Sequence, residues 1–491
     1  MSNRPMLLTG SSLERNDDCA CSAGAFVLVY EADPWEADQD CACAEHAFPL
    51  CAEQLVVDSY AQPPQIYVAE LPHAFHLAFS PFAPHGPSVL NAEAWRRWQS
   101  FNQLQPLTQP IDRQLAAQQL ITPRGQPPQI QAAHSLTLAA WLHVTNACNL
   151  DCPYCYVQKS SARMTEEVGR RALEKIFEAA RQHGFRRVKI KYAGGEAALH
   201  FKLVRQLQAY ARELAQTNNL DLRAVVLSNG TFWQPDNVEW LIANDVKLMI
   251  SLDGLGAEHD RLRPDRRGGA TFDRVAHTID QILLPRGVRP DITLTITRLN
   301  AAGAADVVRW AMIERGLPLS LNFYRQPIGR TPPAELALEE AAIIEGMLAA
   351  YAVIEQALPL RPFFDGLLDR VQGEAHTHTC GVGQSYLVIS HTGQVAQCQM
   401  HLENAINAAS TDDILPLVAA GSLQNLSVEQ KAGCRECTYR YYCAGGCPLE
   451  TYRATGRWDV QSPNCRIYQT LLPAALRLEG LRLLKANGFL Q

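Results

Sequence analysis

The sequence predicts an α/β protein built on a partial (β/α)6 barrel, with a small α+β unit before it and a loop-rich, cysteine-dense unit after it. Three observations predict this. Between residues 138 and 324, apolar runs of strand length alternate with segments of helical period, six strands with five helices between them. Such alternation makes a parallel sheet with helical crossovers. The count stops short of the eight units of a closed barrel. Finally, the 15 cysteines fall into three groups, five between 19 and 51, three between 148 and 155 and seven between 380 and 465.

Taken in order, residues 1–60 are acidic and cysteine-rich, with the echo Asp18-Cys19-Ala20-Cys21 and Asp40-Cys41-Ala42-Cys43. Residues 61–130 read as the small α+β domain. Strands are expected at 65–71 and 75–79, a helix at 92–101 with Asn91 as its N-cap, and a second helix at 112–120. A Pro/Gln-rich linker follows at 125–134. The repeating unit at 138–330 has strands at 138–144, 188–192, 222–227, 246–252, 292–297 and 319–323. Its helices lie at 165–183, capped by Thr165 and stopped by Gly184, and at 201–216, 237–243, 272–284 and 302–315. Residues 331–370 read as a helical linker, clearest at 335–358. Residues 371–470 are short of helical periodicity and rich in Cys and Gly, so their fold is expected to rest on metal more than on a large apolar core. A C-terminal helix covers 468–485 and falls mainly in the last segment, 471–491.

The charge balance, 44 basic against 50 acidic residues for a net −6, argues against nucleic acid or an anionic membrane as partner. No apolar run approaches the roughly 20 residues that span a bilayer, and the first residues lack the basic start and apolar centre of a secretory signal. A cytoplasmic protein is expected. In a reducing compartment, clustered cysteines point to metal or catalysis rather than to disulfides.

Directly after the first expected strand comes Cys148-Asn-Leu-Asp-Cys152-Pro-Tyr-Cys155. Three thiolates on one loop hold three irons of a 4Fe–4S cube and leave the fourth iron open. A zinc site would want four ligands, and no partner pair lies nearby. The spacing, with an aromatic before the last cysteine, resembles the signature of the radical SAM superfamily. That resemblance implies that Cys148, Cys152 and Cys155 carry the catalytic cluster. Its open iron would bind S-adenosylmethionine, whose reductive cleavage gives a 5′-deoxyadenosyl radical. It also implies cofactor-binding roles for Tyr154, for Gly194, Gly195 and Glu196 after the second strand, and for Ser228 and Asn229 after the third. After the fourth strand it implies the same for Ser251, Asp253 and Arg263. In that family the Glu of the GGE faces the SAM ammonium, and the Ser and Arg face its ribose and carboxylate.

The later cysteines run Cys380, Cys398, Cys434, Cys437, Cys443, Cys447 and Cys465. Following a radical SAM core, they resemble the SPASM extension with its two auxiliary 4Fe–4S clusters. The resemblance assigns Cys434, Cys437, Cys443 and Cys465 to one cluster and Cys380, Cys398 and Cys447 to the other, for three clusters in all. The second auxiliary set is one ligand short. His376, His378 or another group completes it, or the iron stays open to a substrate thiolate; the last is the favoured expectation, because thiolate is the natural ligand for such an iron.

Residues 65–125 either resemble the PqqD-like domains that bind a leader peptide by strand addition or form a structural cap. Cys19, Cys21, Cys41, Cys43 and Cys51 fit no family motif and leave three readings open: unliganded thiols, a Cys-x-Cys zinc site, or an acceptor sequence like the substrate. The expected function is a radical SAM/SPASM peptide maturase that abstracts hydrogen from a ribosomally made peptide and forms a thioether or carbon–carbon cross-link. Its partners would be a peptide, with or without a leader, and a flavodoxin- or ferredoxin-type electron donor. The rivals are a formylglycine-generating sulfatase maturase, a peptide epimerase, and a non-catalytic iron–sulfur electron carrier or peptide-binding protein.

Overall fold

Apolar side chains alternating with half-exposed ones set up a small antiparallel sheet at the start of the chain. The computed structural model describes residues 5–9, 59–126, 128, 130, 135–327, 333–407, 411 and 413–490; Cys19, Cys21, Cys41, Cys43 and Cys51 lie outside them. The first elements are β1 (Leu7–Thr9), β2 (Tyr60–Ala61), β3 (Tyr67–Leu71), β4 (Phe75–Phe79) and β5 (Ser88–Leu90), followed by α1 (Ala92–Ser100), α2 (Pro110–Ala117) and β6 (Thr122–Pro123). The sheet order is β1-β5-β4-β3, and β2 pairs separately with β6. Asn91 caps α1 as expected, its side chain accepting from Ala94 N. The segment 88–90, where the sequence marked no strand, is one because its three residues are buried and pair with β4.

The next stretch supplies β7 (Thr137–Thr145), α3 (Glu166–Gln182), β8 (Arg187–Gly194), α4 (Phe201–Asn218), β9 (Asp221–Ser228), α5 (Pro235–Ala243) and β10 (Val246–Ser251). Then come α6 (Ala257–Leu262), α7 (Phe272–His277), β11 (Asp291–Ile296), α8 (Ala304–Val308) and β12 (Leu319–Phe323). Thr165 caps α3 through its side chain, and Gly184 follows it with φ +72°. The helices expected at 272–284 and 302–315 are shorter as α-helix, since each widens into a π-helical turn, Thr278–Leu283 and Arg309–Ile313. The six strands lie side by side in chain order, all parallel, with β12 at one edge of an open sheet. Their residues are buried on both faces, the pattern a helix-covered parallel sheet requires.

The remaining elements are α9 (Glu340–Gln356), α10 (Phe364–Leu367), β13 (Tyr386–Ile389), β14 (Val395–Ala396), α11 (Ile414–Ala419), α12 (Arg440–Cys443), α13 (Pro448–Thr455) and α14 (Cys465–Ala486). The stretch read as a helical linker contains α9, which buries Ile343, Met347 and Ile354 in the main core. The cysteine-dense region also joins the sheet. Its hairpin β13–β14 extends the central sheet, with Tyr386–Ile389 pairing in parallel with Ala139–Leu142 of β7. The hairpin is too short, and its flanks too irregular, for periodicity to reveal it; the exposed edge of β7 is what makes it a strand. The small N-terminal sheet rests on α14, where a Cβ on Gly480 would stand 2.8 Å from Leu77 Cδ1.

Candidate functional site

The first cysteine loop leaves the C-terminal end of β7, where parallel α/β sheets gather their chemistry. Asn146 N donates to Ala162 O (2.9 Å) and Asp151 N to Pro264 O (2.8 Å), which ties the loop down on two sides. Leu150 is fully buried beneath it. Cys148 and Cys152 are each 9% exposed and Cys155 is half-buried; none of the three is in a disulfide, and they pack together with Leu150 and Tyr154. Burial, the largest cause, pushes the Cys152 thiol up to about 12.

Gly194 and Gly195 mark where this loop crosses β8. Gly195 N donates to Thr145 O (2.7 Å) and Glu196 N to Ala147 O (2.8 Å). A Cβ on Gly194 would stand 2.3 Å from Thr145 O, and one on Gly195 2.4 Å from Ala147 O. The absence of a side chain at both glycines thus lets the end of β7 and the start of the cysteine loop lie directly against them. Glu196, 1% exposed, accepts from Ala198 N (3.0 Å), Ser228 Oγ (2.8 Å) and Asn229 N (2.6 Å). Burial raises its carboxyl above the usual range and these hydrogen bonds oppose the shift. No salt bridge to Glu196 forms among the described residues, so a buried acid faces the loop with donors but no cation in contact. Asn229 Nδ2 reaches Asn149 Oδ1 (2.8 Å) and Cys148 Sγ (3.9 Å), linking the end of β9 to the same loop.

Beyond β10 the structure assembles a second network. Asp253, fully buried, accepts from Tyr154 Oη and from Arg263 Nη1 (3.0 Å) on Oδ2, and from Thr295 N (2.7 Å) on Oδ1. Arg263 Nη1 also donates to Tyr154 Oη. Tyr154, Asp253 and Arg263 therefore hold one another in place. Ser251, half-buried at the end of β10, takes no part in this network. Two supporting residues were not marked out by the sequence. Asn300 Nδ2 donates to Asp253 O and to Thr295 O (3.0 Å each), and His259 Nδ1 accepts from Asp253 N (3.3 Å). His259 lies inside α6 and Asn300 in the turn after β11, and each is a buried polar side chain.

His259 makes the network acid-sensitive. Burial, the largest cause, lowers its pKa to about 4, and burial does the same to His143. The unfolded chain takes up these protons near 6.5 and the folded chain only near 4, so stability is full above pH 6.5 and declines as pH falls towards 4. Each group contributes up to roughly 3 kcal/mol of that decline. His259→Asn, which keeps an acceptor for Asp253 N, is expected to flatten part of the slope in urea melts at pH 7 and pH 5. An unchanged slope would remove His259 from the account.

The seven later cysteines divide around two small cavities. One is bordered by Cys434, Cys437, Cys443 and Cys465, the other by Cys380, Cys398 and Cys447. All seven are free thiols, and burial pushes Cys398 and Cys443 up to about 12 and Cys434 to about 11. Among the described residues, no three His, Cys, Asp or Glu side chains close on one point as a single metal ion would need. Neither His376 nor His378 borders the three-cysteine cavity; His376 Nδ1 pairs with Glu374 O and His378 Nδ1 with Thr377 Oγ1. Met400, Arg325 and Arg370 border it instead.

The turn Cys443-Ala-Gly-Gly-Cys447 joins the two sets. Ala444, Gly445 and Gly446 are all left-handed, with φ of 45°, 79° and 70°. The Thr379 hydroxyl lies 2.8 Å from Ala444 O and 2.7 Å from Gly446 O, and Lys431 Nζ donates to Ala444 O (2.8 Å). Lys431, 1% exposed, thus places a cation between the two thiol sets, beside Cys434 through Gly445 and beside Cys380 through Thr379. Tyr156, which follows Cys155, packs in the cluster that holds Cys380 and Cys398, so the first loop abuts the three-cysteine cavity.

Residues 142–297 match the family model of the Radical SAM superfamily. The sporulation killing factor maturation protein SkfB of Bacillus subtilis is 33% identical over 174 residues, 35% of this chain and 39% of that protein. The match thus spans about two-fifths of the length of SkfB. The serine-type anaerobic sulfatase-maturating enzyme of Klebsiella aerogenes is 26% identical over 377 residues, 69% of this chain and 87% of that protein. Among solved structures, anSMEcpe with bound AdoMet superposes with a TM-score of 0.59 at 20% identity, over 70% of this chain and 99% of that one. It has also been solved with AdoMet and the Cp18Cys peptide bound, again at 0.59.

Proposed function

We propose, for a chain that carries a radical SAM domain over residues 142–297, that it cleaves S-adenosylmethionine reductively and abstracts hydrogen from a peptide or protein substrate. The observation that carries the reading is the sorting of the ten described thiols into sets of three, three and four, each around its own site. Buried and half-buried thiols gathered in three sets, two of them around cavities, fit three 4Fe–4S clusters by donor chemistry and by number. Cys148, Cys152 and Cys155 would hold the cluster that meets the cofactor. Cys380, Cys398 and Cys447 would hold one auxiliary cluster, and Cys434, Cys437, Cys443 and Cys465 the other. When bound, the first cluster and S-adenosylmethionine supply the carbon radical that takes the substrate hydrogen.

The chain's own residues bind and orient. Glu196, with no salt bridge among the described residues, would receive the ammonium of the cofactor. Ser251 and Arg263 would face its ribose and carboxylate, and Tyr154 and Asp253 hold the Arg263 guanidinium in one direction. Ser228 and Asn229 keep Glu196 fixed through hydrogen bonds already made. The peptide substrate is supported by the maturases this chain resembles. Of the two expected products, a thioether or a carbon–carbon cross-link, the three-thiol cavity supports the thioether. Among the described residues no histidine borders it, so a fourth position would be left for a substrate thiolate, next to the first loop. A flavodoxin- or ferredoxin-type donor would supply the electron.

Likeness to a sulfatase-maturating enzyme supports a second reading, oxidation of a Cys or Ser to formylglycine. The product separates the two, since a cross-link consumes a thiol or a C–H bond without creating an aldehyde. Anaerobically reconstituted, reduced protein is expected to release 5′-deoxyadenosine from S-adenosylmethionine. A protein with full iron content that releases none would be an electron carrier. Among the described residues no helix is long and apolar enough to cross a membrane.

A further inference from the structure

Lys431 is a buried cation with no carboxylate to balance it. It is 1% exposed, and among the described residues it forms no salt bridge. Its Nζ donates to Ala444 O (2.8 Å) and lies 3.5 Å from the Thr379 hydroxyl. Neither partner is charged, and taking an ammonium out of water is costly unless opposite charge compensates it.

What surrounds this ammonium is thiol sulfur. The alkyl chain lies against the left-handed turn 443–447: a Cβ on Gly445 would stand 2.6 Å from Lys431 Cδ, 3.0 Å from Nζ and 3.4 Å from Cys434 Sγ. Gly445 borders the four-cysteine cavity and Thr379 the three-cysteine cavity, so the side chain lies in the wall between them. Burial disfavours the charged ammonium, and the sulfurs of Cys434, Cys443, Cys380 and Cys447, two from each set, favour it. The arginines nearby are not shared in this way. Arg325 and Arg370 border the three-cysteine cavity, and Arg440 borders the four-cysteine cavity.

The backbone holds Lys431 in place without help from Nζ. Its N–H donates to Val428 O (3.2 Å), and its carbonyl accepts from Cys434 N (3.1 Å). The next residue pairs with the segment at 459–461, Ala432 N donating to Asp459 O (2.7 Å) and Gln461 N to Ala432 O (2.9 Å). A neutral side chain of similar length can therefore take the same position.

We infer that Lys431 is a tuning residue shared by the two auxiliary sites, its ammonium raising the reduction potential of both clusters at once. Each then accepts an electron more readily than it would beside a neutral residue. The inference rests on the three-cluster reading above. A cluster gains one negative charge on reduction, and its potential follows the charge and hydrogen bonds around it. A cation fixed in a buried wall acts with little screening. Because the wall belongs to both cavities, one substitution should move two clusters.

The test is a redox titration of the full chain with its clusters reconstituted, read by electron paramagnetic resonance. The first cluster is identified as the signal that changes when S-adenosylmethionine is added. Lys431→Met is expected to lower the midpoints of both auxiliary clusters, shifting each one-electron equilibrium at least about tenfold, or about 59 mV. The midpoint of the first cluster should stay where it was. Lys431→Gln, which keeps a donor for Ala444 O without the charge, should reproduce the shift. Thr379→Val removes the hydroxyl and keeps the cation, so both midpoints should stay close to those of the unaltered protein. Unmoved midpoints in the Met and Gln variants, a fall in one auxiliary cluster only, or an equal fall in Thr379→Val protein would each overturn the inference. Iron content separates this failure from that of the underlying reading. Three cubes' worth of iron, about twelve atoms per chain, with unmoved midpoints sinks only the role of Lys431. Unaltered protein that holds a single cube sinks both.

Discussion

Cys152→Ala protein is expected to release no measurable 5′-deoxyadenosine under conditions in which the unaltered protein does. Cys152 is the middle thiol of the first loop, buried beside Arg263 and between Cys148 and Cys155. Substituting even an outer-shell partner of a metal ligand costs about 10–100-fold in affinity or activity, so removing a direct ligand should cost more than a hundredfold. The fold should survive, because the loop is tied down by backbone hydrogen bonds at Asn146 and Asp151 and by buried Leu150, none of which involves the thiol. Iron content and a melting curve check that separation. Normal cleavage by a folded Cys152→Ala protein would remove the first loop from the mechanism.

The second large effect is expected at Cys443. Cys443→Ala should lower iron by about four atoms per chain, one cube's worth, and block product formation while leaving some abortive cleavage of S-adenosylmethionine. Cys443 borders the four-cysteine cavity and opens the left-handed turn that ends at Cys447 of the other set. It is remote in sequence from the loop at 148–155, and no hydrogen bond links it to Glu196 or Asp253. Product formation and cofactor cleavage should therefore part company, which a general loss of folding would not produce. If cleavage and product formation fell together in a protein with normal melting, the auxiliary role would fail.

Much of this was legible in the chain before it was folded. Thr165 before an amphipathic run and Gly184 after it mark α3 at both ends, because a hydroxyl can satisfy a free helix N–H and glycine adopts a left-handed φ without strain. The strand expected at 319–323 is β12, Leu319–Phe323, because its apolar run is bounded by turns and buried on both faces. The close spacing of Cys148, Cys152 and Cys155 places three thiols on one loop whatever surrounds it.

Other features needed the folded chain. β5 and the β13–β14 hairpin are too short to show a period, and each became strand only when a neighbour offered an unpaired edge. Lys431, Asn300 and His259 carry no local signature, yet burial between distant segments makes each a support for a site.

The sequence by itself determined the alternation of strand and helix, the order of the chemical motifs and the sorting of cysteines into groups, because these depend on residue type and on separations of a few positions. It took the folded chain to show that the cysteine-dense region extends the central sheet and that residues 7–9 pair with an edge far away in the chain. Those pairings depend on which buried edges and cavities remain unfilled once the local elements have formed, and that is a property of packing rather than of any window of sequence.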